Sequence, residues 1–364
     1  MKPAIVHVVQ HLKPGGIESF ALEFQKVAAP FFDVYIVSLE CSYYQNYWHD
    51  IPSNTKFIKA LNKKPGWQLN TLEQLTRFLK NIQPIYVHTH HIGPLIYGGL
   101  AAKLANIKHV VHTEHDAWHL ANKKRKFLQF LALKLINPIF VADANFVAEQ
   151  VKTLMPSIKP IVIRNGVDTD KFKPTIKDKA FYKKEVNLPV EMSFIGCAAR
   201  LESVKAHDVL IKALSKLPNS VGLLLAGTGS LRDELNTLVK SLHLENRVFF
   251  LGHVENMNNF YALLDVFCLS SNNEGLPISP LEAQACNVPV VLTDVGGCKE
   301  AVCNKTGVVV TPNDPILLAQ ALSHCLEQKI DDSPREFVKK ERSIKQMIRQ
   351  YLSLLQSDLR SKLC

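Results

Sequence analysis

The chain has 364 residues, which exceeds the size at which one hydrophobic core keeps growing, so two domains are expected. Its apolar fraction of 47% is ample for two cores. The formal net charge of +10 favours an anionic partner, and composition alone does not choose among a membrane surface, a phosphorylated substrate and nucleic acid.

The cysteines and apolar runs exclude several other classes. None of the eight cysteines forms a C-x-x-C pair, so we interpret them as reduced core thiols of a cytoplasmic protein rather than as zinc or redox ligands. The start, MKPAIVHVVQH, lacks the apolar region of a signal peptide. The longest apolar stretch, residues 127–142, is interrupted by Lys134 and Pro138 and is too short to span a bilayer. Any membrane contact is therefore expected to be peripheral, at the inner face of the plasma membrane.

Strand-like and helix-like segments alternate along the chain. Runs such as AIVHVV, VYIVSL, PIYVHTH and HVVHTEH are each followed by helical sequence, which predicts βαβ units and a parallel sheet. After a polar, lysine-rich stretch the alternation restarts with SFIGCAAR, VGLLLAG, RVFFLG, VFCLSS and PVVLTD. The sequence predicts an α/β fold with two Rossmann-like domains, and the predicted boundaries are 1–168, a linker at 169–189, 190–334 and a helical end at 335–364.

The residues that close each strand are the first candidates for a site, because ligands of open α/β sheets bind beyond the carboxyl ends of the strands. Gly15 and Gly16 follow the first strand and open a helix whose N–H groups would hold a phosphate, although a tight turn has the same pattern. Histidines at 88–91 and 112–115 suggest a metal, but no complete ligand set accompanies them. We expect one imidazole to contact phosphate or a sugar hydroxyl and the others to close internal hydrogen bonds.

Two later strand ends carry charged side chains. Arg200 ends an apolar strand and Lys205 precedes a helix, so both cations would converge on one diphosphate; two solvated surface charges are the alternative. Glu274 lies in the loop after VFCLSS and Glu282 in the next helix, so the two carboxylates are expected to reach different parts of an elongated ligand. Gly275 permits a close approach of the backbone. The dinucleotide fingerprint, the Walker A sequence and the nucleophile elbow are all missing from the sequence.

Together with the NGVD turn at 165–168 and the segment EAQACNVPVV, these motifs resemble in order and spacing the retaining glycosyltransferases of family 4, which have the GT-B fold. The resemblance covers nearly the whole chain. It implies two Rossmann-like domains whose sheets face an inter-domain cleft, with the last helix packed on the first domain. It also implies transfer of a sugar from a UDP- or GDP-sugar to a hydroxyl of a sugar or lipid-linked sugar acceptor, in the synthesis of cell-surface polysaccharide or lipopolysaccharide.

The resemblance further implies roles for single residues. Arg200 and Lys205 would bind the donor diphosphate, and Glu282 would hold the ribose. His115 would face the sugar and the phosphates from the first domain. The implied catalytic residues are Glu274 and His115, and the implied donor-binding residues are Gly15, Gly16, Arg200, Lys205, Val254, Gly275, Leu276, Pro277, Ile278 and Glu282. Two positions depart from the family pattern: Ala199 and Ala206 stand where glycine is common, which predicts a phosphate loop of different shape.

The expected mechanism needs no metal and no cofactor. Fixed cations would stabilise the departing nucleoside diphosphate, and the sequence has no D-x-D motif. In a retaining reaction the acceptor hydroxyl would attack from the face that the leaving group departs from, with a phosphate oxygen accepting its proton. A nucleotide-sugar 2-epimerase on the same fold and a non-catalytic nucleotide- or carbohydrate-binding protein are the alternatives. Nucleic acid is not an expected partner, because no recognised motif is present.

A basic start on an apolar helix suggests a further partner. Residues 122–126, NKKRK, run directly into FLQFLALKLI. This pattern is typical of a helix that lies on an anionic membrane, and equally of a core helix with a solvated end. The sequence leaves both interpretations open.

Overall fold

The structure is a computed structural model and describes residues 2–13, 15–40, 56–329, 331 and 333–355. The chain forms two compact units. The first comprises Met1–Asn165 with Ile344–Cys364, and the second comprises Gly166–Ser343.

The first unit is built on a seven-stranded sheet in the order β3-β2-β1-β4-β5-β6-β7, and all its described strand pairs are parallel. Its strands are β1 (Ala4–Val9), β2 (Asp33–Ser38), β3 (Ile58–Ala60), β4 (Tyr86–His90), β5 (Val110–Glu114), β6 (Ile139–Ala142) and β7 (Ile161–Val162). Its helices are α1 (Gly16–Ala28), α2 (Leu69–Ile82), α3 (Ile92–Leu104), α4 (Lys123–Ile136) and α5 (Asn145–Leu154), together with α13 (Ile344–Ser353) from the end of the chain.

The second unit has a six-stranded parallel sheet in the order β10-β9-β8-β11-β12-β13. Its strands are β8 (Ser193–Ala198), β9 (Val221–Ala226), β10 (Val248–Gly252), β11 (Val266–Leu269), β12 (Val290–Thr293) and β13 (Val308–Val310). Its helices are α6 (Lys179–Glu185), α7 (His207–Leu214), α8 (Arg232–Ser241), α9 (Met257–Ala262), α10 (Ser279–Ala285), α11 (Pro315–Glu327) and α12 (Ser333–Glu341).

The central strands explain why the sequence folds in this way. β1, β4, β5, β9, β11 and β12 are almost wholly buried, as strands of a parallel sheet covered by helices on both faces must be. Such strands are apolar runs rather than alternating patterns, and the runs singled out in the sequence include all six of these strands. The predicted α/β fold with two Rossmann-like parallel sheets is confirmed.

The stretch predicted as a linker, residues 169–189, contains the helix α6 and is grouped with the second unit. The side chain of Asp178 caps α6 by accepting from the Phe181 N–H. Lys183 is buried, and its ammonium donates to the carbonyls of Val190 and Met192 at 3.0 and 2.6 Å. The stretch 169–189 is rich in lysine, yet one of these lysines, Lys183, forms hydrogen bonds within the fold.

The last described segment, residues 333–355, forms two helices, α12 and α13. α12 packs on α10 in the second unit, and the backbone of Val167 pairs with that of Arg342 and Ser343 where α12 ends. α13 is grouped with the first unit. There the ring of Tyr351 is fully buried against Phe20 and Phe24, and its hydroxyl lies 2.9 Å from Thr113 Oγ1.

Two further observations concern the cysteines and the apolar helices. The six cysteines within the described residues are buried and form no disulfide. No described helix combines the length and the apolar character that crossing a bilayer requires.

Two glycines at strand ends of the second unit have left-handed backbones but different surroundings. Gly296 has φ +56°, and a Cβ built there would lie 1.8 Å from the carbonyl oxygen of Glu274. Gly252 has φ +68°, and a Cβ there would meet open space. The loop after β12 is therefore packed directly on the backbone of the loop after β11.

We expect Gly296→Ala to lower the free energy of unfolding of the second unit by about 3 kcal/mol or more, because a backbone carbonyl blocks the new methyl group. The matched variant Gly252→Ala is expected to lose only about 1 to 2 kcal/mol, the penalty for a Cβ in the left-handed region. Chemical denaturation followed by circular dichroism compares the two. Equal losses would contradict the close approach at Glu274.

Candidate functional site

The predicted donor residues follow strands that share one edge of the second sheet. β8 and β11 are neighbours in space, and the strand order reverses between them, which makes this the point where open α/β sheets bind ligands. Arg200 follows β8 by two residues and is exposed, and Glu274 lies in the loop after β11. Val254 follows β10 at the same edge and is half-buried.

The structure brings Lys205 and Glu274 into direct contact. Lys205 ends a short 3₁₀ turn, Ser203–Lys205, and its ammonium lies 2.6 Å from Glu274 Oε1. The hydroxyl of Ser271 donates to the same carboxylate oxygen at 2.6 Å. Both charged side chains are mostly buried, with 18% and 8% of their surfaces exposed. In such surroundings a fixed charge acts strongly on a ligand and needs little rearrangement to do so.

The loop that carries Glu274 is fixed by its backbone. The carbonyl of Gly275 accepts a hydrogen bond of 2.8 Å from the Gly297 N–H, and the adjacent Gly296 allows the two loops to meet. The hydroxyl of Thr293 donates to the Ser271 carbonyl at 2.6 Å. These supports were not predicted from the sequence, in which the glycine pair after PVVLTDV is their one local signal.

The predicted residues that follow Glu274 lead into α10. Leu276 and Pro277 are buried, and the carbonyl of Ile278 accepts from the Glu282 N–H at 3.0 Å in the first turn of this helix. The Glu282 carboxylate accepts a hydrogen bond of 2.7 Å from the hydroxyl of the fully buried Tyr261. Burial, and then the charge of Glu282, raise the pKa of Tyr261 well above its usual value, so the phenol remains a donor. No motif in the sequence marks Tyr261 as part of this site.

The loop that carries Arg200 packs on the turn after β9. A Cβ on Gly227 would lie 2.1 Å from the Ala199 carbonyl oxygen, and one on Gly229 would lie 2.3 Å from that of Leu201. This glycine pair, which is not a dinucleotide fingerprint, is thus needed for the close approach of two loops. Ala206 has φ 47° and ψ 46°, so alanine here takes the left-handed conformation that glycine adopts most readily.

In the first unit the strand order reverses between β1 and β4, and the predicted glycines follow β1. Gly15 is half-buried and extended, with φ −174°, and Gly16 is exposed at the first position of α1. A Cβ on Gly15 would lie 2.3 Å from Glu18 Oε2. The buried Glu18 lies 3.1 Å from His11 Nδ1, and this hydrogen bond raises the pKa of His11.

His115 belongs to a chain of buried hydrogen bonds. Its Nδ1 lies 3.0 Å from Asp143 Oδ2, which also accepts from the Asn165 amide at 2.9 Å. Its Nε2 lies 3.0 Å from His90 Nδ1, and His90 Nε2 lies 3.2 Å from His7 Nδ1. With Asp143 ionised and neutral rings, each imidazole donates from Nδ1 to the next acceptor along the chain. Both ring nitrogens of His115 are then engaged inside the first unit.

The pKa values of the histidines shift in different directions along this chain of hydrogen bonds. Burial lowers the pKa of His7 to about 3 and that of His90 well below its usual value, so both rings are neutral. Burial also opposes a charge on His115, but the hydrogen bond to Asp143 and its charge outweigh it and raise the pKa of His115. Asp143 therefore favours the charged form of the predicted catalytic histidine, in contrast to His7 and His90.

One histidine group has the spacing of a metal site. His7, His88 and His90 each place a ring nitrogen within 4.8 Å of those of the other two. His7 Nε2 and His88 Nδ1 are buried without a hydrogen-bond partner among the described residues. However, His90 uses both of its nitrogens in the chain to His115, and His88 Nε2 lies 2.7 Å from Thr113 Oγ1. Metal independence stays a prediction.

The helix with the basic start is a surface helix. α4 buries one face through Gln129, Ala132, Leu133 and Ile136. The opposite face exposes four large apolar side chains, Phe127, Leu128, Leu131 and Leu135. A core helix with a solvated end would not show this second face. Contact with a membrane stays a prediction.

Comparisons with known proteins agree with this architecture. A family model described as Glycosyltransferase Family 4 matches residues 14–171, and one described as Glycosyl transferases group 1 matches residues 178–344. The lipopolysaccharide core biosynthesis mannosyltransferase LpsB of Rhizobium meliloti is 34% identical over 48% of this chain and 51% of that protein. The UDP-Gal:alpha-D-GlcNAc-diphosphoundecaprenol alpha-1,3-galactosyltransferase of Escherichia coli is 26% identical over 90% of this chain and 89% of that protein. The chain thus spans about half the length of LpsB and most of the length of the second relative.

Solved structures are similar over nearly the whole chain. The Anabaena protein HepE, in complex with UDP and glucose, has a TM-score of 0.83 at 21% identity, with 98% of this chain and 100% of that chain covered. A glycosyltransferase from Rickettsia africae has a TM-score of 0.82 at 26% identity, with 98% and 99% covered. These likenesses show the GT-B fold. Because two consecutive family models of one enzyme class cover most of a chain with this fold, we conclude that the chain belongs to the family 4, group 1 glycosyltransferases.

Proposed function

We propose that the protein transfers a sugar from a nucleotide-diphosphate sugar to a hydroxyl acceptor, with retention of configuration at the transferred carbon. The observation that carries this proposal is the mostly buried pair of Lys205 and Glu274 at the strand reversal of the second sheet. It supplies a fixed cation for a departing diphosphate and a carboxylate for the sugar that develops positive charge.

The proposed reaction uses no protein nucleophile. Lys205 and Arg200 hold the diphosphate and stabilise its growing charge, while Glu282 holds the ribose. Glu274, already oriented by Lys205 and Ser271, orients the sugar. The acceptor hydroxyl attacks from the side of the leaving group and gives its proton to a phosphate oxygen. Because these cations replace a divalent ion, we propose that the enzyme needs no metal.

The names of similar proteins support a donor and an acceptor class. The name of the Escherichia coli relative states a UDP-galactose donor and a diphosphoundecaprenol-linked acceptor, and that of LpsB states lipopolysaccharide core biosynthesis. HepE has also been solved with UDP-glucose. We therefore propose a UDP-sugar as the first donor to test, with GDP-sugars second, and a sugar or lipid-linked sugar as the acceptor. The product would belong to a cell-surface polysaccharide or lipopolysaccharide.

A lipid-linked acceptor requires contact with a membrane, and we propose that α4 provides it. The exposed apolar face of α4 continues from a basic first turn formed by residues 123–126. Apolar side chains would enter the boundary between head groups and acyl chains, and the lysines and arginine would pair with anionic lipids. This contact would keep the protein peripheral, on the cytoplasmic face of the membrane.

Glu274→Gln is expected to lower kcat by about 100-fold or more while leaving the fold intact, because the amide keeps the shape but removes the charge that faces the sugar. The matched control is Asp294→Asn, which removes a carboxylate from an exposed pair with Lys299 and should leave kcat unchanged. Transfer of labelled sugar measures both. Full activity of the Gln variant would refute the role of Glu274, and conversion of the donor without an acceptor would indicate an epimerase.

Replacing Arg200 and Lys205 together by alanine is expected to weaken UDP binding by roughly 100-fold or more, since each charge-assisted hydrogen bond contributes about 1.5 to 3 kcal/mol. The control is the double variant Lys212→Ala with Lys240→Ala, which removes two exposed lysines of the same unit. Isothermal titration calorimetry with UDP, and separately with GDP, gives the affinities. Unchanged affinity in the first double variant would end the assignment of the two cations.

Charge reversal of residues 123–126 is expected to reduce binding to phosphatidylglycerol vesicles by about 1,000-fold or more, because each of these four basic residues contributes about 1 kcal/mol near an anionic surface. A control with the same charge change reverses four exposed lysines of the second unit, Lys184, Lys212, Lys216 and Lys240. Co-sedimentation with these vesicles and with phosphatidylcholine vesicles separates charge from apolar contact. Equal losses in the two variants would show a general charge effect and refute a role for α4.

A further inference from the structure

A strained residue joins β4 to α3. His91 has φ 65° and ψ 168°, a region of backbone conformation that is populated essentially by glycine. Three other residues with positive φ differ from it: Gln83, Asn137 and Ala206 have ψ of 57°, 54° and 46°, in the ordinary left-handed region. Any side chain at position 91 therefore strains the backbone. The presence of histidine there, where glycine would fit without strain, indicates that the imidazole itself has a role.

His91 lies where the first sheet reverses its strand order. β4 pairs with β1 at this reversal, and the loop after β1 folds against the head of α3, because a Cβ on Gly93 would lie 2.3 Å from Gln10 Oε1. The His91 ring lies 6.0 Å from the ring of His115, centre to centre, in an edge-to-face arrangement. The strained residue thus stands beside the predicted catalytic histidine at the ligand-binding edge of the sheet.

The neighbouring imidazoles are already engaged. His90 and His115 use both ring nitrogens in the buried hydrogen-bond chain, and His119 lies 2.6 Å from the Gln129 amide oxygen. His91 is half-buried, and its imidazole has no hydrogen-bond partner within the residues that the structure describes. Its two nitrogens therefore remain for a ligand.

We propose that the His91 imidazole binds a hydroxyl group of the acceptor sugar, an assignment that rests on the proposed transferase function. The predicted donor contacts on the first unit are Gly15, Gly16 and His115, and His91 is not one of them, so we assign its ligand to the other substrate, the acceptor. His115 packs against His91 and orients it.

The chemistry of the ring matches a hydroxyl group. Burial, and then the neighbouring His115, lower the pKa of His91, so the ring is neutral near neutral pH and carries one N–H donor and one lone pair. A sugar hydroxyl both donates and accepts and can use both, whereas an ionised phosphate only accepts.

His91→Gly separates a role in ligand binding from a role in stability, because it is expected to raise the stability of the free protein and to lower its affinity for glycosides. Glycine relieves the backbone, so the melting temperature of the free protein is expected to rise. Removal of the imidazole is expected to weaken binding of methyl glycosides of glucose, galactose, mannose and N-acetylglucosamine by about 10-fold, measured as the rise in melting temperature with glycoside concentration. The matched control Gln83→Gly also relieves a left-handed residue in this unit, and should keep wild-type glycoside binding.

A second variant and a second ligand complete the test. His91→Asn keeps a donor and an acceptor and tolerates positive φ, so it is expected to recover part of the glycoside affinity. UDP should raise the melting temperature of all the variants equally. The assignment is overturned if no glycoside of the panel stabilises the wild type, or if His91→Gly is stabilised as much as the wild type. A wild type that responds to glycoside but not to UDP would refute the proposed donor and leave His91 assigned.

Discussion

The pairing of parallel strands is the constraint from which both candidate sites follow. In a parallel sheet every strand ends at the same edge, so loops far apart in sequence are gathered there without any direct attraction between them. Where the strand order reverses, open α/β sheets bind their ligands. The loops carrying Lys205 and Glu274 meet at such a point beside the junction of β8 and β11, and those carrying Gln10 and His91 do so beside β1 and β4.

The two units support their edges differently. The second relies on close backbone approach, with Gly227 and Gly296 at positions where a Cβ would strike a carbonyl oxygen, and it holds one ion pair with low exposure. The first relies on a buried polar network that runs from Asp143 through His115 to His7. Such a network orients imidazoles precisely only because each ring has one donor and one acceptor at the right position.

Much of the fold and part of the site could be predicted from the sequence. Apolar runs between turn residues identified the central strands, and a transferase resemblance pointed to Glu274 and Glu282 through their spacing. The supports of those residues could not be found in this way. Tyr261 and Asp143 lie 21 and 28 residues from the groups that they bond, and no local pattern links such positions. In the polar stretch at 169–189, composition likewise does not reveal that Lys183 bonds to carbonyls inside the fold.

By itself the sequence determined the alternation of strands and helices, the family and the residue types available at each strand end, because these depend on local periodicity and on short motifs. Only the tertiary structure decided which side chains meet and which remain open to a ligand. Lys205 is bound to Glu274, both nitrogens of His115 are engaged, and His91 has a strained backbone beside it. Hydrogen-bond partners and backbone strain depend on how distant segments pack, and periodicity along a chain carries no information about that packing.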